Sequence, residues 1–322
     1  MNFVKMHGLG NDFIMIDCLR DTDSSDKRGS TTEHILCREL VQQICDRHYG
    51  IGADGVICIL PSARADFRMK LYNADGSRAQ MCGNGIRCLG KYVYDYGKTQ
   101  KTELQIETDA GIRRLRLYQE TDRISTVRVD MGTPDFVPEH IPVRFSYIKE
   151  SGREIVSQSK GCCEQENCQS AVYFFRESNR IYIYLGENQY PFSCVSTGNP
   201  HGIIWVNTET ELQEFPLELY GSKIEHNASF PEGTNVEVAW IQASDRIHLR
   251  VWERGCGETR ACGTGACAVA AAAMRMQKCG SSVNLQLPGG MLRVDYGIRN
   301  RHLYLTGPAE EICFGELSIG CL

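Results

Sequence analysis

The sequence lacks several features that would each indicate a class of protein. It contains no run of about 18 apolar residues, so no membrane-spanning helix is expected. Its first residues, MNFVKMHGLGNDFIMID, place Lys, His, Asn and Asp where a signal peptide has an unbroken apolar core. The phosphate-loop motif G-x-x-x-x-G-K-[ST] is absent, MHGLGNDF does not match G-x-G-x-x-G, and no lysine stands in a context typical of pyridoxal phosphate. We therefore expect a cytoplasmic protein that works without a cofactor.

The sequence also lacks an excess of positive charge. The 35 Lys and Arg residues are outnumbered by 40 Asp and Glu residues, and the net charge is −5 at pH 7. Because nucleic acids and membrane surfaces are anionic, neither is an expected partner, and a small-molecule substrate is the better interpretation. The length of 322 residues suggests two domains of ordinary size.

Cysteine is abundant, with 16 residues, but no Cys-x-x-Cys pair of the kind found in zinc sites occurs. A disulfide framework is typical of short secreted chains and does not suit this one. Three cysteines crowd one polar segment, Cys162, Cys163 and Cys168, but adjacent cysteines fit a single tetrahedral site badly, so we expect no metal. Most of the others are predicted to be buried as small hydrophobic side chains, among them Cys18, Cys37, Cys45, Cys58, Cys313 and Cys321.

Two segments, MCGNGIRC at 81–88 and ACGTGACA at 261–268, each place a cysteine before Gly-x-Gly. Each follows a segment of alternating apolar residues, DFRMKLYN at 66–73 or RIHLRVWE at 246–253, which predicts a half-buried strand. After each cysteine turn comes a predicted helix that ends at glycine, and then a further predicted strand, ELQIET or VNLQLP. The shared order and spacing indicate an internal duplication.

We predict an α+β fold of two similar domains, each a strand-rich sheet around a central helix, with the active site in the cleft between them. The first domain is expected over residues 1–127, to which the C-terminal tail at about 308–322 returns. The second is expected over residues 128–307, with an insertion at about 145–190. The polar stretch KESGREIVSQSKGCCEQENCQ, between predicted strands RISTVRVDMG and RIYIYLG, is poorly periodic and is interpreted as an exposed insertion or excursion.

A cysteine at the start of a helix lies among unpaired backbone N–H groups, at the positive end of the helix dipole. This setting lowers the pKa of a thiol toward neutrality, and the same N–H groups can hold a carboxylate. Two such turns suit the inversion of a stereocentre, because a thiolate can remove the α-proton from one face while a thiol delivers a proton to the other. Two helix N-termini aimed at the substrate carboxylate would stabilise the carbanion. A single Gly-rich helix start also occurs for packing reasons, so the interpretation depends on the pair.

Five segments in the expected order together resemble the diaminopimelate epimerase family, which is a pyridoxal-independent, two-cysteine family. They are KMHGLGNDF (5–13), YNADGSRAQMCGNGIRC (72–88), TGNPHG (197–202), EGTNVEV (232–238) and ERGCGETRACGTGA (253–266). The resemblance implies an isomerase that converts LL-2,6-diaminopimelate into meso-diaminopimelate, for lysine and peptidoglycan precursor synthesis, and it implies a homodimer. The insertion is longer than the family pattern.

The resemblance also implies roles for particular residues. Cys82 and Cys262 would be the catalytic pair. Backbone groups of the two turns would hold the reacting carboxylate, at Gly83, Asn84, Gly263 and Thr264. Glu253, with the backbone near Arg254, would take the ammonium group. The distal end of the substrate would be bound by Asn11, Asn73, Asn199, Asn235 and Arg254, with His201 and Gly55 in support. Taken singly, such an Asn is usually a turn residue, Arg254 suits a surface ion pair and His201 suits a core position.

Two alternatives stay open at this point. One is a broader amino-acid racemase of the same fold; proline and hydroxyproline racemases typically have Met-Cys-Gly-His-Gly at the first turn, where this chain has MCGNG. The other is a non-catalytic thiol protein, such as a redox sensor or a binding module. Exchange of an amino-acid α-proton with solvent would distinguish an enzyme from the latter.

Overall fold

The computed structural model describes residues 1–19, 37–143, 148–150, 153–157, 172–177 and 180–317. The chain forms two compact units. The first contains Met1–Asp130 and the C-terminal stretch that begins at Leu305, and the second contains Met131–Tyr304. Several predictions fall outside the described residues, including those for Cys162, Cys163, Cys168 and Cys321 and for much of the insertion.

The predicted strand at Phe67–Asn73 alternates buried and partly exposed residues, whereas the strand at Gly55–Leu60 is buried along its whole length. In chain order, the strands are β1 (Asn2–Gly8), β2 (Asn11–Asp17), β3 (Gly55–Leu60), β4 (Phe67–Asn73), β5 (Arg78–Ala79), β6 (Glu103–Thr108), β7 (Gly111–Glu120), β8 (Arg123–Gly132), β9 (Ile148–Glu150), β10 (Arg153–Ser157), β11 (Val172–Glu177), β12 (Arg180–Leu185), β13 (Asn188–Ser196), β14 (Pro200–Val206), β15 (Asn235–Ala243), β16 (Arg246–Glu253), β17 (Gly257–Thr259), β18 (Ser282–Leu287), β19 (Gly290–Tyr296), β20 (Leu303–Pro308) and β21 (Glu310–Glu316). The helices are α1 (Arg38–Cys45), α2 (Gly83–Asp95), α3 (Glu209–Glu214), α4 (Leu217–Glu225) and α5 (Gly263–Arg275).

The two units share one order of strand pairing. In the first unit, β1–β2 is antiparallel, β2–β3 parallel, β3–β4 antiparallel, β4–β6 parallel and β6–β7 antiparallel. In the second unit, β13–β14, β14–β15, β15–β16, β16–β18 and β18–β19 pair in the same alternation of directions. The predicted repeat is therefore present in the backbone topology as well as in the sequence.

The second unit carries additional strands ahead of its repeat. β9 and β10 form a short antiparallel hairpin, and β10, β11, β12 and β13 continue as antiparallel neighbours. The polar segment KESGREIVSQSK, which was interpreted as an exposed insertion or excursion, contains most of β9 and all of β10. The high content of polar residues in this segment gave no signal for β9 and β10. These two strands pair through backbone groups, which every residue carries.

One helix in each unit packs against several strands. α2 contacts β1, β2, β3 and β7, while α5 contacts β13, β14, β15, β18 and β19. All residues of α2 from Gly83 to Val93 are buried. α5 is rich in alanine, which has the highest helix propensity and lets strands approach the helix axis closely. Neither these nor the other helices in the described ranges have the length and apolar character that crossing a membrane requires.

The burial predicted for the cysteines is confirmed at Cys18, Cys45 and Cys58. It is wrong at Cys37 and Cys313, which are both exposed. Cys37 precedes the first residue of α1, where the chain enters the helix. Cys313 lies in β21, whose pattern of exposed neighbours departs from strict alternation, so its position could not be read from period-two patterning.

Candidate active site

Cys82 is the N-cap of α2, as its place before Gly-x-Gly predicts. Its thiol donates a hydrogen bond to Asn11 Oδ1 at 3.6 Å, and Asn84 Nδ2 donates to the same oxygen at 3.1 Å. The first intrahelical bond runs from the N–H of Ile86 to the carbonyl of Cys82, so the N–H groups of Gly83 and Asn84 lie ahead of helical pairing. Three predicted site residues, Asn11, Cys82 and Asn84, therefore meet at one helix N-terminus.

Asp54 fixes the orientation of the Asn11 amide. Asn11 Nδ2 donates to Asp54 Oδ2 at 2.7 Å, which leaves Oδ1 directed at Cys82. Asp54 is itself bound by the Arg47 guanidinium at 2.7 Å. Sequence reasoning named the neighbouring Gly55 but missed Asp54, since an acidic residue in a Gly-rich loop is usually a turn residue.

Arg87 is a buried charged residue beneath the first turn of α2. It is 0% exposed and donates to Gly83 O, to Asn84 Oδ1 and, through Nε, to Pro308 O. A guanidinium buried in this way is tolerated because its donors are paired. Sequence reasoning treated Arg87 as a helix residue without a role, although an Arg within a glycine-rich helix start is a usable signal.

Cys262 is the N-cap of α5, and its surroundings differ from those of Cys82. Its sulfur accepts a hydrogen bond from Gly265 N–H at 3.4 Å and lies 3.3 Å from Thr264 Oγ1. The Glu253 carboxyl group also hydrogen-bonds to the Cys262 thiol. Cys262 is only 4% exposed, whereas Cys82 is half-buried.

The expectation that the helix N-terminus lowers the thiol pKa is wrong for Cys262. Burial, together with the negative charges of Glu253 and Glu237, raises the pKa of this thiol well above its ordinary value. The hydrogen bonds from Thr264 and Gly265 act in the opposite direction but are outweighed. Desolvation disfavours a charged form, and no single backbone donor offsets that cost for a thiol buried this deeply. In the resting structure Cys262 is therefore suited to donate a proton.

Glu237 is a further buried residue of the Cys262 turn that sequence reasoning missed. Its Oε1 accepts a hydrogen bond from His201 Nδ1 at 2.7 Å, and both side chains are 0% exposed. His201 Nε2 lies 3.0 Å from Asn199 Oδ1, so the predicted supporting histidine does contact a predicted substrate-binding residue. The signal in the sequence was a single acidic residue within the apolar strand NVEVAW, because Glu is almost never fully buried unless it is paired.

Glu253 ends β16 and Arg254 follows it, and the two side chains make different contacts. The Glu253 carboxylate accepts a hydrogen bond from Thr259 Oγ1 at 2.5 Å, and burial raises the pKa of this carboxyl group. Arg254 is exposed, and its Nη1 donates to Glu232 O at 2.7 Å. Arg254 also lines a pocket of about 470 Å³ with Glu232 and Gly233 among its walls.

Of the remaining predicted residues, Asn235 is buried and Asn73 is exposed. Asn235 is buried and uses both ends of its amide on the backbone, since Nδ2 donates to Pro200 O and Oδ1 accepts from Arg254 N–H. This anchors the turn that carries Arg254. Asn73 is exposed at the end of β4, where it bonds to Ser77 and pairs in register with Gly55. A side chain at Gly55 would meet Tyr72 O at 2.4 Å, so the strands pack too closely here for any other residue.

Within the described ranges, no group of three or more His, Cys, Asp and Glu side chains is arranged to hold a metal ion. The ionisable groups at the two turns are instead engaged with each other or with the backbone, as described above.

Comparison with known proteins places these motifs in a family. A family model described as diaminopimelate epimerase matches residues 3–137 and 193–312. The chain is 41% identical over 319 residues to the diaminopimelate epimerase of Agathobacter rectalis, covering 99% of this chain and 100% of that protein. It is 39% identical over 319 residues to the diaminopimelate epimerase of Acetivibrio thermocellus, covering 99% of each.

Solved structures with the same fold are more distant in sequence. A probable proline racemase from Agrobacterium radiobacter has a TM-score of 0.64 at 14% identity, over 99% of this chain and 93% of that one. A phenazine biosynthesis protein of the PhzF family from Bacillus anthracis has a TM-score of 0.63 at 16% identity, over 99% of both chains. These likenesses show the fold, which is the predicted two-domain α+β architecture. Since the family model covers most of the chain and the close relatives cover nearly all of it, this protein belongs to the diaminopimelate epimerase family.

Proposed function

We propose that this isomerase inverts the α-carbon of LL-2,6-diaminopimelate to give meso-diaminopimelate, with two thiols and no cofactor. The observation that carries the proposal is the pair of N-cap cysteines, Cys82 and Cys262, each in its own copy of the repeated turn in a chain of this family. Inversion needs a proton acceptor on one face of the α-carbon and a proton donor on the other, and two thiols supply both.

In this mechanism Cys82, as the thiolate, takes the α-proton, and the Cys262 thiol delivers a proton to the opposite face. The C–H bond that breaks and the C–H bond that forms involve the same carbon, so the substrate gains and loses one proton. The raised pKa of Cys262 supports its role as the donor in the resting enzyme. The N-terminus of α2 and the buried Arg87, which binds Gly83 O and Asn84 Oδ1 there, place positive charge near Cys82, and this supports its role as the thiolate.

The substrate carboxylate next to the reacting carbon is assigned to the first-turn N–H groups of the two helices, at Gly83, Asn84, Gly263 and Thr264. Backbone donors at a helix N-terminus stabilise the negative charge that develops when the α-proton leaves. Glu253 is assigned to the ammonium group. Arg254, with Asn11, Asn73, Asn199 and Asn235, is assigned to the distal amino-acid end.

The proposal is tested by incubating the purified protein with LL-diaminopimelate in deuterated water and following α-proton exchange and meso-isomer formation. Proline, glutamate and histidine are offered separately. Exchange confined to diaminopimelate supports the proposal. Exchange with several amino acids supports a broader racemase, and exchange with none refutes an epimerase.

We also propose that the two compact units are the duplicated domains and that the enzyme is a cytoplasmic homodimer that serves lysine and peptidoglycan precursor synthesis. The homodimer is supported by β21, which exposes Ile312 and Phe314 by 49% and 77%. Light scattering should give twice the chain mass of 36.2 kDa, and Phe314→Glu should lower it. A monomeric wild-type chain at micromolar concentration would contradict this part.

A further inference from the structure

The strand registers identify equivalent positions beneath the two cysteine turns. In the parallel pair β2–β3, Phe13 is opposite Gly55, and Ile57 lies two residues further along β3. In the parallel pair β14–β15, His201 is opposite Asn235, and Glu237 lies two residues further along β15. The pair Phe13 and Ile57 in one unit thus corresponds to His201 and Glu237 in the other.

The second glycine of each turn lies between the cysteine and these residues, as the contacts of a Cβ atom placed on it show. A Cβ atom at Gly85 would lie 2.7 Å from Ile57 Cδ1, 3.5 Å from Phe13 Cζ and 3.6 Å from Cys82 Cβ. At Gly265, a Cβ atom would lie 2.5 Å from Glu237 Oε1 and 3.4 Å from Cys262 Cβ. Glu237 therefore lies directly behind the Cys262 turn, in the place that Ile57 occupies behind the Cys82 turn.

Packing does not require the ionisable pair. The first unit builds the same turn on the same strand pairing with two apolar side chains, both well buried. In the second unit, Glu237 is 0% exposed, and its Oε2 is without a hydrogen-bond partner among the described residues. A buried, hydrogen-bonded pair of ionisable side chains is rarely more stabilising than an apolar pair of similar volume, so its presence indicates a role in the reaction.

We propose that Glu237 is a positioning residue that places a negative charge behind the Cys262 turn and so keeps the proton on this thiol while the site is empty. The proposal rests on the proposed function, because a held proton matters only if Cys262 later delivers it. Two carboxylates act on Cys262, Glu237 from β15 and Glu253 at the end of β16, and His201 from β14 binds Glu237 at 2.7 Å. Glu237 acts on Cys262 by its charge and on Asn199 through His201.

The direct test is the reaction of each cysteine with iodoacetamide, followed by peptide mass spectrometry between pH 6 and pH 10. In Glu237→Gln, which keeps a hydrogen-bond acceptor for His201 but removes the charge, Cys262 should be alkylated about tenfold faster or more at pH 8, because the thiolate is the reactive form. Cys82 should change less than twofold. Glu237→Asp should restore slow alkylation of Cys262.

Glu225→Gln is the matched control. Glu225 is also a buried carboxylate of the second unit, bound by Trp252 Nε1 and Gly255 N–H, but it is not among the groups that act on Cys262. Its substitution should lower stability without changing the alkylation of Cys262. Equal effects of Glu237→Gln and Glu225→Gln would overturn the proposal, and so would an unchanged Cys262 rate in Glu237→Gln.

Two further readouts complete the design. In Glu237→Gln, the alkaline limb of the pH profile of kcat/KM should move to lower pH, with kcat reduced and KM within about threefold of wild type. If Glu237→Gln fails to fold, alkylation of the wild-type protein still tests the proposal. Faster alkylation of Cys262 than of Cys82 at every pH would overturn it. Absence of epimerase activity would refute the proposed function, whereas the thiol titration would stand independently.

Discussion

The two cysteine turns share a backbone but differ in the residues around them. At three corresponding positions the first unit has Phe13, Ile57 and Asn73, which are neutral, whereas the second has His201, Glu237 and Glu253, which are ionisable. The common backbone presents a helix N-terminus in each unit. The differing side chains include Glu237 and Glu253, whose charges help to raise the pKa of the Cys262 thiol. Duplication thus supplies the geometry twice, and substitution makes the copies unequal.

The helices carry a second difference, of opposite sign. α2 has the buried Arg87 in its second turn, where α5 has Cys267, a neutral thiol buried to 0% exposure. The cysteine turn of Cys82 therefore has a cation beneath it, whereas the cysteine turn of Cys262 has carboxylates. A cation favours a thiolate and a carboxylate disfavours it, so both differences support the proposed roles of Cys82 as the thiolate and Cys262 as the thiol.

Removal of either catalytic cysteine should have the strongest effect, because it leaves one of the two turns without its thiol. Cys82→Ala and Cys262→Ala should each lower kcat/KM for diaminopimelate epimerisation at least about hundredfold, because general acid–base groups contribute about 10²–10⁴-fold. Steady-state assays of both variants measure this. Cys267→Ala is the control, since it removes a thiol from the same helix and should reduce stability while retaining activity. A rate within tenfold of wild type for either catalytic variant would contradict the two-thiol mechanism.

The next effect tests a residue that only the second turn has. Arg254→Lys keeps the charge but loses the planar fork, so one charge-assisted hydrogen bond of about 1.5–3 kcal/mol is removed. The expected loss in kcat/KM is about ten- to a hundredfold. Arg250→Lys is the control, because Arg250 lies on β16, which ends just before Arg254, and pairs with Glu258 at 2.8 Å. A loss for Arg250→Lys equal to that for Arg254→Lys would refute the assignment.

A smaller effect compares the two glycines behind the cysteines. Gly265→Ala should destabilise the protein by about 1–3 kcal/mol, since its Cβ atom would press on the Glu237 carboxylate, which is held by His201. Gly85→Ala meets the end of the flexible Ile57 side chain and should cost less. Gly280→Ala, in open space, is the control. Denaturant unfolding ranks the three, and a ranking with Gly85→Ala most destabilised would contradict the packing described.

The smallest effect concerns a carboxylate of the first unit. Burial alone would raise the pKa of Asp12, but hydrogen bonds and charges from Arg47 and Lys5 outweigh it and hold the pKa below its ordinary value. The stabilisation is therefore present at neutral pH and is lost as the pH falls through the folded-state pKa, below about 4. Lys5→Met should cost about 1 kcal/mol at pH 7 and progressively less toward pH 3. Unfolding free energies across this range measure it, and a cost that grows on acidification would contradict the sign.

Regular elements could be predicted from the sequence wherever one short-range pattern governed them. The strands at 66–73 and 246–253 were visible because one face of each is buried, and both helices were visible because glycine ends them and cysteine precedes them. The strands at 148–150 and 153–157 were missed, because the segment around them is polar and poorly periodic. Glu237 and the direction of the Cys262 pKa shift were missed because both depend on contacts between residues distant in sequence.

The paired residues behind Cys262 bear on what happens between turnovers. Each inversion leaves the proposed two thiols with their protons exchanged, so Cys82 ends as the thiol and Cys262 as the thiolate. Glu237 raises the free energy of that second form, and the empty enzyme will relax back to the first by exchange with water. The forward and reverse reactions thus start from forms of unequal population, although their overall equilibrium is fixed by the two isomers alone. At high concentrations of the two isomers, this return step competes with binding of the product to the second form. The strength of product inhibition then shows how slowly the enzyme returns to its first form.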